Sequence, residues 1–261
     1  MEGSAWQGEE YAPQAAHHRS LDDWFLDAHR PAADDVVVDA GCGTGEFTVR
    51  LAELATAGRV IGVDSDESML DVARRTTGPN IEFRRGTLQA LDRVCERESA
   101  DLVVSRAALH WLELADYPDC FAAVRRVLKP GGWLHTESGA AGNVYDVRAL
   151  MDDVAGAHGL PPAAVSFPDP GIVMEMLEET GFDVGEEGVT TVAQRRRFGR
   201  HQLLGFLRTQ AAQAYVANAS PALRQVFLDE VATRVDELVR HDGTYDQTFV
   251  RLHVLCRRPV G

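Results

Sequence analysis

Lysine is almost missing from this chain: Lys129 is the only one, and arginine carries nearly all of the positive charge. That bias looks like the codon usage of a high-GC genome, while the formal net charge of −14 reads equally as halophilic adaptation. With 40 acidic side chains against 26 basic ones, a nucleic-acid surface is not expected, because phosphate binding draws on a positive field. Cysteine is scarce as well. Cys42, Cys95, Cys120 and Cys256 are scattered, with no CxxC pair and no histidine at ligand spacing, so neither a metal site nor a disulfide framework is expected and buried free thiols are. Long apolar runs are lacking too. Nothing approaches the roughly 20 residues of a membrane span, and MEGSAWQGEEYAP has neither the basic start nor the apolar stretch of a signal peptide. The reading is a cytoplasmic protein, monomer or homodimer, with a small-molecule partner and no membrane or nucleic acid.

What is present is a regular alternation of strand-like and helix-like segments. Its 261 residues suffice for one large α/β domain, or for a core with a smaller appendage. Strands are predicted at 36–40, 59–64, 81–85, 101–104 and 133–137, with helices at 46–57, 66–75, 91–96 and 117–128 between them. VVVDA, RVIGVD and ADLVV are apolar without alternation, as strands covered on both faces should be. The pattern predicts a parallel, doubly wound sheet. Beyond Ser138 the rhythm changes: helices are predicted at 143–157 and 171–180, one or two strands in 182–198, and a last antiparallel strand at 245–257. Between those strands lies a long amphipathic stretch, residues 200–241, with Pro221 at a helix start; a helical insertion of that size reads as a cap over a site.

DAGCGTGEF, directly behind the first strand, carries the chemistry. Gly41, Gly43 and Gly45 remove side chains where strand turns into helix, so backbone can approach a ligand and offer N–H groups. Asp39 ahead of them suits a cation or ammonium and is an awkward neighbour for a pyrophosphate, and the spacing is GxGxG rather than the GxGxxG of dinucleotide sites. The second strand ends in VIGVDSDESML. Asp64 at its tip can accept both hydroxyls of a ribose, with Ser65 beside it, and Met69 reads either as core or as a sulfur lying over an adenine. ADLVVSRAALHWL places Ser105 and Arg106 at a strand's C-terminal tip, where α/β sheets bind ligands, and LKPGGWL reads as a structural turn.

In this order and spacing, DAGCGTG, Asp64, DLVVSRAALHWL and LKPGGWL resemble the motifs of the class I S-adenosylmethionine-dependent methyltransferases, over residues 35–138. More loosely, WQGEEYAPQAAHHR, ALHWL, GFLRTQ, FLDEVATRVDELV and TFVRLHVLCRRP are similar to trans-aconitate methyltransferases and their small-molecule relatives over nearly the whole chain. The resemblance implies a Rossmann-like seven-stranded sheet of order 3-2-1-4-5-7-6 with the last strand antiparallel. It also implies S-adenosylmethionine as cofactor, S-adenosylhomocysteine as product, and a small-molecule acceptor. The division it suggests is an N-terminal helical lid over 1–34, a core over 35–199 and 242–261, and a cap over 200–241. Where relatives often carry an adenine-binding Asp after the third strand, this chain has Thr87, followed by Leu88 whose backbone could serve. The arginine that the relatives' first helix brings to the cofactor carboxylate has only His18 or Arg19 as counterpart.

Methyl transfer is an in-line displacement dominated by positioning. A carboxylate acceptor needs only cations to orient it, and Arg106 and Arg208 are the candidates, each weighed against an ordinary surface ion pair. A hydroxyl acceptor benefits from a base, and His110 is the candidate, weighed against a packed histidine beside Trp111. Tyr11 is a candidate substrate contact. Two readings from other classes stay beside the methyltransferase: a nicotinamide-dependent oxidoreductase, and a non-catalytic nucleoside-binding module.

Overall fold

A computed structural model describes residues 22–76, 78–186, 188–217 and 219–260. The valine run forms β1 (Val36–Ala40), an interior strand of a seven-stranded sheet, flanked in parallel by β2 (Arg59–Asp64) and β4 (Ala100–Arg106). β3 (Ile81–Arg85) lies outside β2, and β5 (Leu128–Gly139) lies beside β4. β7 (Thr244–Arg257) runs antiparallel between β5 and β6 (Val189–Gly199), giving the order 3-2-1-4-5-7-6.

Helices cover both faces, as the unbroken apolar strands require. On one side α1 (Asp22–Ala28) and α2 (Glu46–Leu54) set Phe25, Leu26 and Leu51 against Val37, Val60, Leu102 and Val104. After α3 (Glu67–Ala73), the other face is covered by α4 (Tyr117–Val127), which buries Phe121 and Val124 against Val38, Val103 and Leu134. A buried side chain of this size contributes about 1.5–3 kcal/mol. Then come α5 (Tyr145–Ala157), α6 (Pro170–Thr180), α7 (Arg200–Phe206), α8 (Gln213–Val216) and α9 (Pro221–Arg234). Helix α6 joins the sheet core through Val173 and Leu177. α5 instead packs Val147 and Met151 with Leu203, Phe227 and Val231 of the inserted helices, so the cap's apolar cluster is built from two distant segments. The four cysteines are free and buried.

The structure departs from expectation in four places. LKPGG is drawn into β5, where Ala100 pairs with Leu128 and the register slips before Leu102 meets Trp133, so the turn is an irregular strand start. The helix predicted at 91–96 is a 3-10 turn, Leu88–Arg93. β6 begins only at Val189, Asp183 making an isolated bridge to Arg257. The long amphipathic stretch is broken by a π-helical turn at Leu207–Ala211, with a fresh start at Pro221 under the side-chain cap of Ser220.

Candidate active site

The three glycines behind β1 all take left-handed backbone, but for different reasons. A Cβ on Gly41 would stand 2.3 Å from the Ala108 Cβ, so this glycine lets the loop after β4 close down on the first loop. A Cβ on Gly43 would meet nothing within 4 Å and would project into open space. Gly45 is the N-cap of α2, packed under Phe83. The Gly43 N–H donates to Asp64 Oδ2 and the Asp66 N–H to Asp64 Oδ1, both at 2.9 Å. Burial raises the Asp64 pKa, against the pull of those backbone donors. Asp66 in turn caps α3, accepting from the Ser68 N–H at 2.8 Å. A carboxylate is thus fixed at the β2 tip beside a glycine with open space in front of it.

Gly41, Gly43 and Asp64 line one cleft of about 240 Å³ at the C-terminal ends of β1, β2 and β4. Met69 and Leu88 supply apolar wall, and Ser65, Phe47, Trp111 and Leu112 extend the lining. At the inner end Asp39 is buried, its Oδ2 accepting from Thr48 Oγ1 at 2.7 Å. Burial pushes its pKa up to about 6, although the Thr48 hydroxyl and the Arg106 charge pull the other way. The Arg106 guanidinium is ion-paired with Asp22 of α1 and lies 4.6 Å from the Phe47 ring centroid and 5.3 Å from that of Phe25. Among the described residues, the cleft wall carries Asp22, Asp39, Glu46 and Asp64 against the single cation Arg106. Its field favours a cationic ligand. The backbone of Ala107, next to Arg106, is held in left-handed conformation at φ +50°, a strained geometry of the kind found at binding sites.

His110 sits behind Trp111, ring centroids 5.4 Å apart, with Phe167 at 5.7 Å. Its Nδ1 accepts from the Gly139 N–H at 3.3 Å. Burial, helped by the Arg251 charge, lowers its pKa to about 3, so the ring is neutral and its proton sits on Nε2. His110 is not among the residues that line the cleft, and in this tautomer its Nε2 is a hydrogen-bond donor.

The remaining candidates divide. Asp39, Gly41, Gly43, Asp64, Ser65, Met69, Leu88 and Arg106 line the cleft together, and Gly45, Thr87 and Ser105 do not. Ser105 is spent internally, its Oγ donating to the Ala40 carbonyl at 2.7 Å. Thr87 precedes the 3-10 turn as its N-cap residue. Arg208 is exposed in the π-helical turn, away from the cleft lining. Tyr11 lies outside the described residues. Sequence reasoning missed Asp22, which stands in no motif, and Phe47, which closes DAGCGTGEF as an ordinary apolar helix residue; their contacts with Arg106 bring them in.

The family described as "Methyltransferase domain" matches residues 37–132, the stretch that holds every one of these loops. Demethylmenaquinone methyltransferase from Deinococcus radiodurans is 33% identical over 174 residues, covering 59% of this chain and 69% of that protein. The chain belongs to the class I S-adenosylmethionine-dependent methyltransferases. Trans-aconitate 2-methyltransferase of the same organism is 43% identical, but over 105 residues: 40% of this methyltransferase and 37% of the relative, little more than a third of its length. Among solved structures, geranyl diphosphate C-methyltransferase from Streptomyces coelicolor, in complex with S-adenosyl-L-homocysteine, superimposes with a TM-score of 0.55 at 16% identity. The match covers 92% of this chain and 79% of that one, a likeness of fold. Neither a nicotinamide oxidoreductase nor a non-catalytic nucleoside module finds support in these relatives.

Proposed function

We propose that this methyltransferase transfers a methyl group to an oxygen, carboxylate or hydroxyl, of a small molecule. The cofactor is S-adenosylmethionine, and the residues of the cleft fit it. The observation that supports the reading best is the open space before Gly43, bounded by the Asp64 carboxylate on one side and the buried Asp39 on the other. Bound there, S-adenosylmethionine supplies an electrophilic methyl on a sulfonium sulfur. Asp64, each oxygen still having a lone pair beyond its backbone donor, accepts from the ribose hydroxyls. Met69 and Leu88 flank the purine, with the Thr87 hydroxyl or the Leu88 backbone toward its amine. Asp39 faces the ammonium. Arg106, first considered for an acceptor carboxylate, shares the inner end of the cleft with Asp39 and is assigned instead to the carboxylate of the same amino-acid moiety. Catalysis is then chiefly alignment of acceptor, methyl and leaving sulfur. Residues 200–241 are assigned, together with α5, as a cap over the acceptor, and the strands with α1, whose Phe25 and Leu26 are buried on the sheet, as the core; the location is assigned as cytoplasmic.

Calorimetric titration with S-adenosylmethionine and S-adenosylhomocysteine tests this, with Asp64→Ala alongside. Wild type binds both, and the variant loses roughly 50-fold or more, the worth of one or two charge-assisted hydrogen bonds. A folded wild type that binds neither ligand sinks the reading.

A further inference from the structure

One face of the sheet continues past the cleft. Arg106 on β4 pairs in register with Glu137 on β5, Glu137 stands opposite His253, and Gly139 stands opposite Arg251 on β7. The N–H of Ala107, a cleft residue, donates to the Glu137 carbonyl at 2.7 Å. Glu137 is wholly buried, and its Oε1 accepts from Arg251 Nε, itself nearly buried. The pair is joined through single atoms. Glu137 Oε2 and Arg251 Nη2 have no hydrogen-bond partner among the described residues. Buried polar atoms of this kind are rare in native proteins, and each calls for an explanation. Beside them His110 keeps part of its surface accessible and feels the Arg251 charge, and its neighbour Trp111 lines the cleft. A leftover anionic acceptor and a leftover donor therefore stand on the strands next to the one that brings Arg106 and Ala107 to the cleft.

We propose that Glu137 and Arg251 form the polar floor of the acceptor site and that Glu137 Oε2 receives the acceptor's proton. The acceptor is accordingly a small uncharged molecule with an acidic hydroxyl, such as a phenol or enol, rather than a carboxylate; this rests on the methyltransferase reading above. Arg251 is already neutralised by Glu137 and His110 carries no charge, so a carboxylate acceptor would meet a like charge with no spare cation among the described residues beside it. A neutral hydroxyl meets what is left over: it donates to Oε2 and accepts from Nη2 or from His110 Nε2–H. In the transfer the acceptor oxygen forms its bond to the methyl carbon as the carbon–sulfur bond breaks, that electron pair staying on sulfur. The hydroxyl proton passes to Oε2, and sulfonium, carboxylate and hydroxyl become thioether, carboxylic acid and methyl ether, all neutral.

The test uses protein first shown by calorimetry to be saturated with S-adenosylhomocysteine, so that failure of cofactor binding is seen separately. Into this complex 4-nitrophenol and trans-aconitate are titrated at about pH 6, where the phenol is mostly uncharged and the tricarboxylate is ionised. Wild type binds 4-nitrophenol and not trans-aconitate. Glu137→Gln binds 4-nitrophenol roughly tenfold or more weakly, and gains trans-aconitate because Arg251 is released. This reversal of preference is something a purely structural role for Glu137 would not produce. Should Glu137→Gln not fold, the double variant Glu137→Gln with Arg251→Met removes both charges; it loses 4-nitrophenol and gains nothing. Trans-aconitate binding wild type as tightly as 4-nitrophenol, no 4-nitrophenol binding by wild type, or unaltered affinities in the variants would each overturn the proposal.

Discussion

Asp39 shows how a single carboxylate can be held at a cost until its partner arrives. Its ordinary pKa of 3.8 rises to about 6 in the folded chain, burial being the main cause. Between those pH values the native state holds a proton that the unfolded state has released. The contribution of Asp39 to stability therefore falls as pH rises through that window, and the full penalty, about 3 kcal/mol at most, is present at pH 7. Without cofactor, Asp39→Asn should be more stable than wild type at pH 7, and the gap should close near the unfolded pKa; denaturant titrations at the two pH values check this, and a constant gap refutes it. An ammonium beside Asp39 would favour its ionised form, so S-adenosylhomocysteine affinity should weaken below about pH 6. Arg106 makes a second prediction at this scale. Arg106→Gln should weaken S-adenosylhomocysteine roughly tenfold or more and leave 5′-methylthioadenosine, which lacks the amino-acid moiety, unchanged. Equal losses for both ligands would mark Arg106 as merely structural, holding Asp22 and α1 in place.

At the scale of elements, the loop after β1 divides its labour among its glycines. Gly41→Ala drives a Cβ into Ala108 and should destabilise the fold by about 3 kcal/mol or more. Gly43→Ala bears only the left-handed penalty of about 1–2 kcal/mol, yet it should lose cofactor binding because its methyl fills the cleft. Thermal melts paired with calorimetry separate the two effects; a Gly43→Ala protein that binds normally would mean the ligand lies elsewhere. Sequence and structure agree residue for residue on β1, β2 and β3, whose ends are marked by Gly, Asp and Asn. They agree less well in the cap. There the apolar periodicity persists through Leu207–Ala211 with no proline to announce the π-helical turn, and the partner helix α5 lies some fifty residues upstream. Glu137 was invisible for a similar reason. HTESG reads as a polar strand end, and only a partner 114 residues away makes it a buried ion pair.

Among the described residues of the whole molecule there are three apolar clusters, two on the faces of the sheet and a third shared by α5 and the inserted helices. Phe227 is fully buried in the third, stacked on Tyr215 at 5.5 Å. Phe227→Ala should cost about 3–5 kcal/mol there. Hydrogen exchange should quicken in 145–157 and 200–237 while β1 keeps its protection and S-adenosylhomocysteine still binds. Uniform loss of protection across both regions would show that cap and sheet unfold as one. The place of β7 carries a further consequence, for the order in which the nascent chain matures. β6 is hydrogen-bonded only to β7, and β5 meets β6 only through it. On the ribosome, then, β1 to β5 can assemble early, while β6 waits as an orphan ribbon and β5 as an open edge until the residues beyond Thr244 emerge and zip between them.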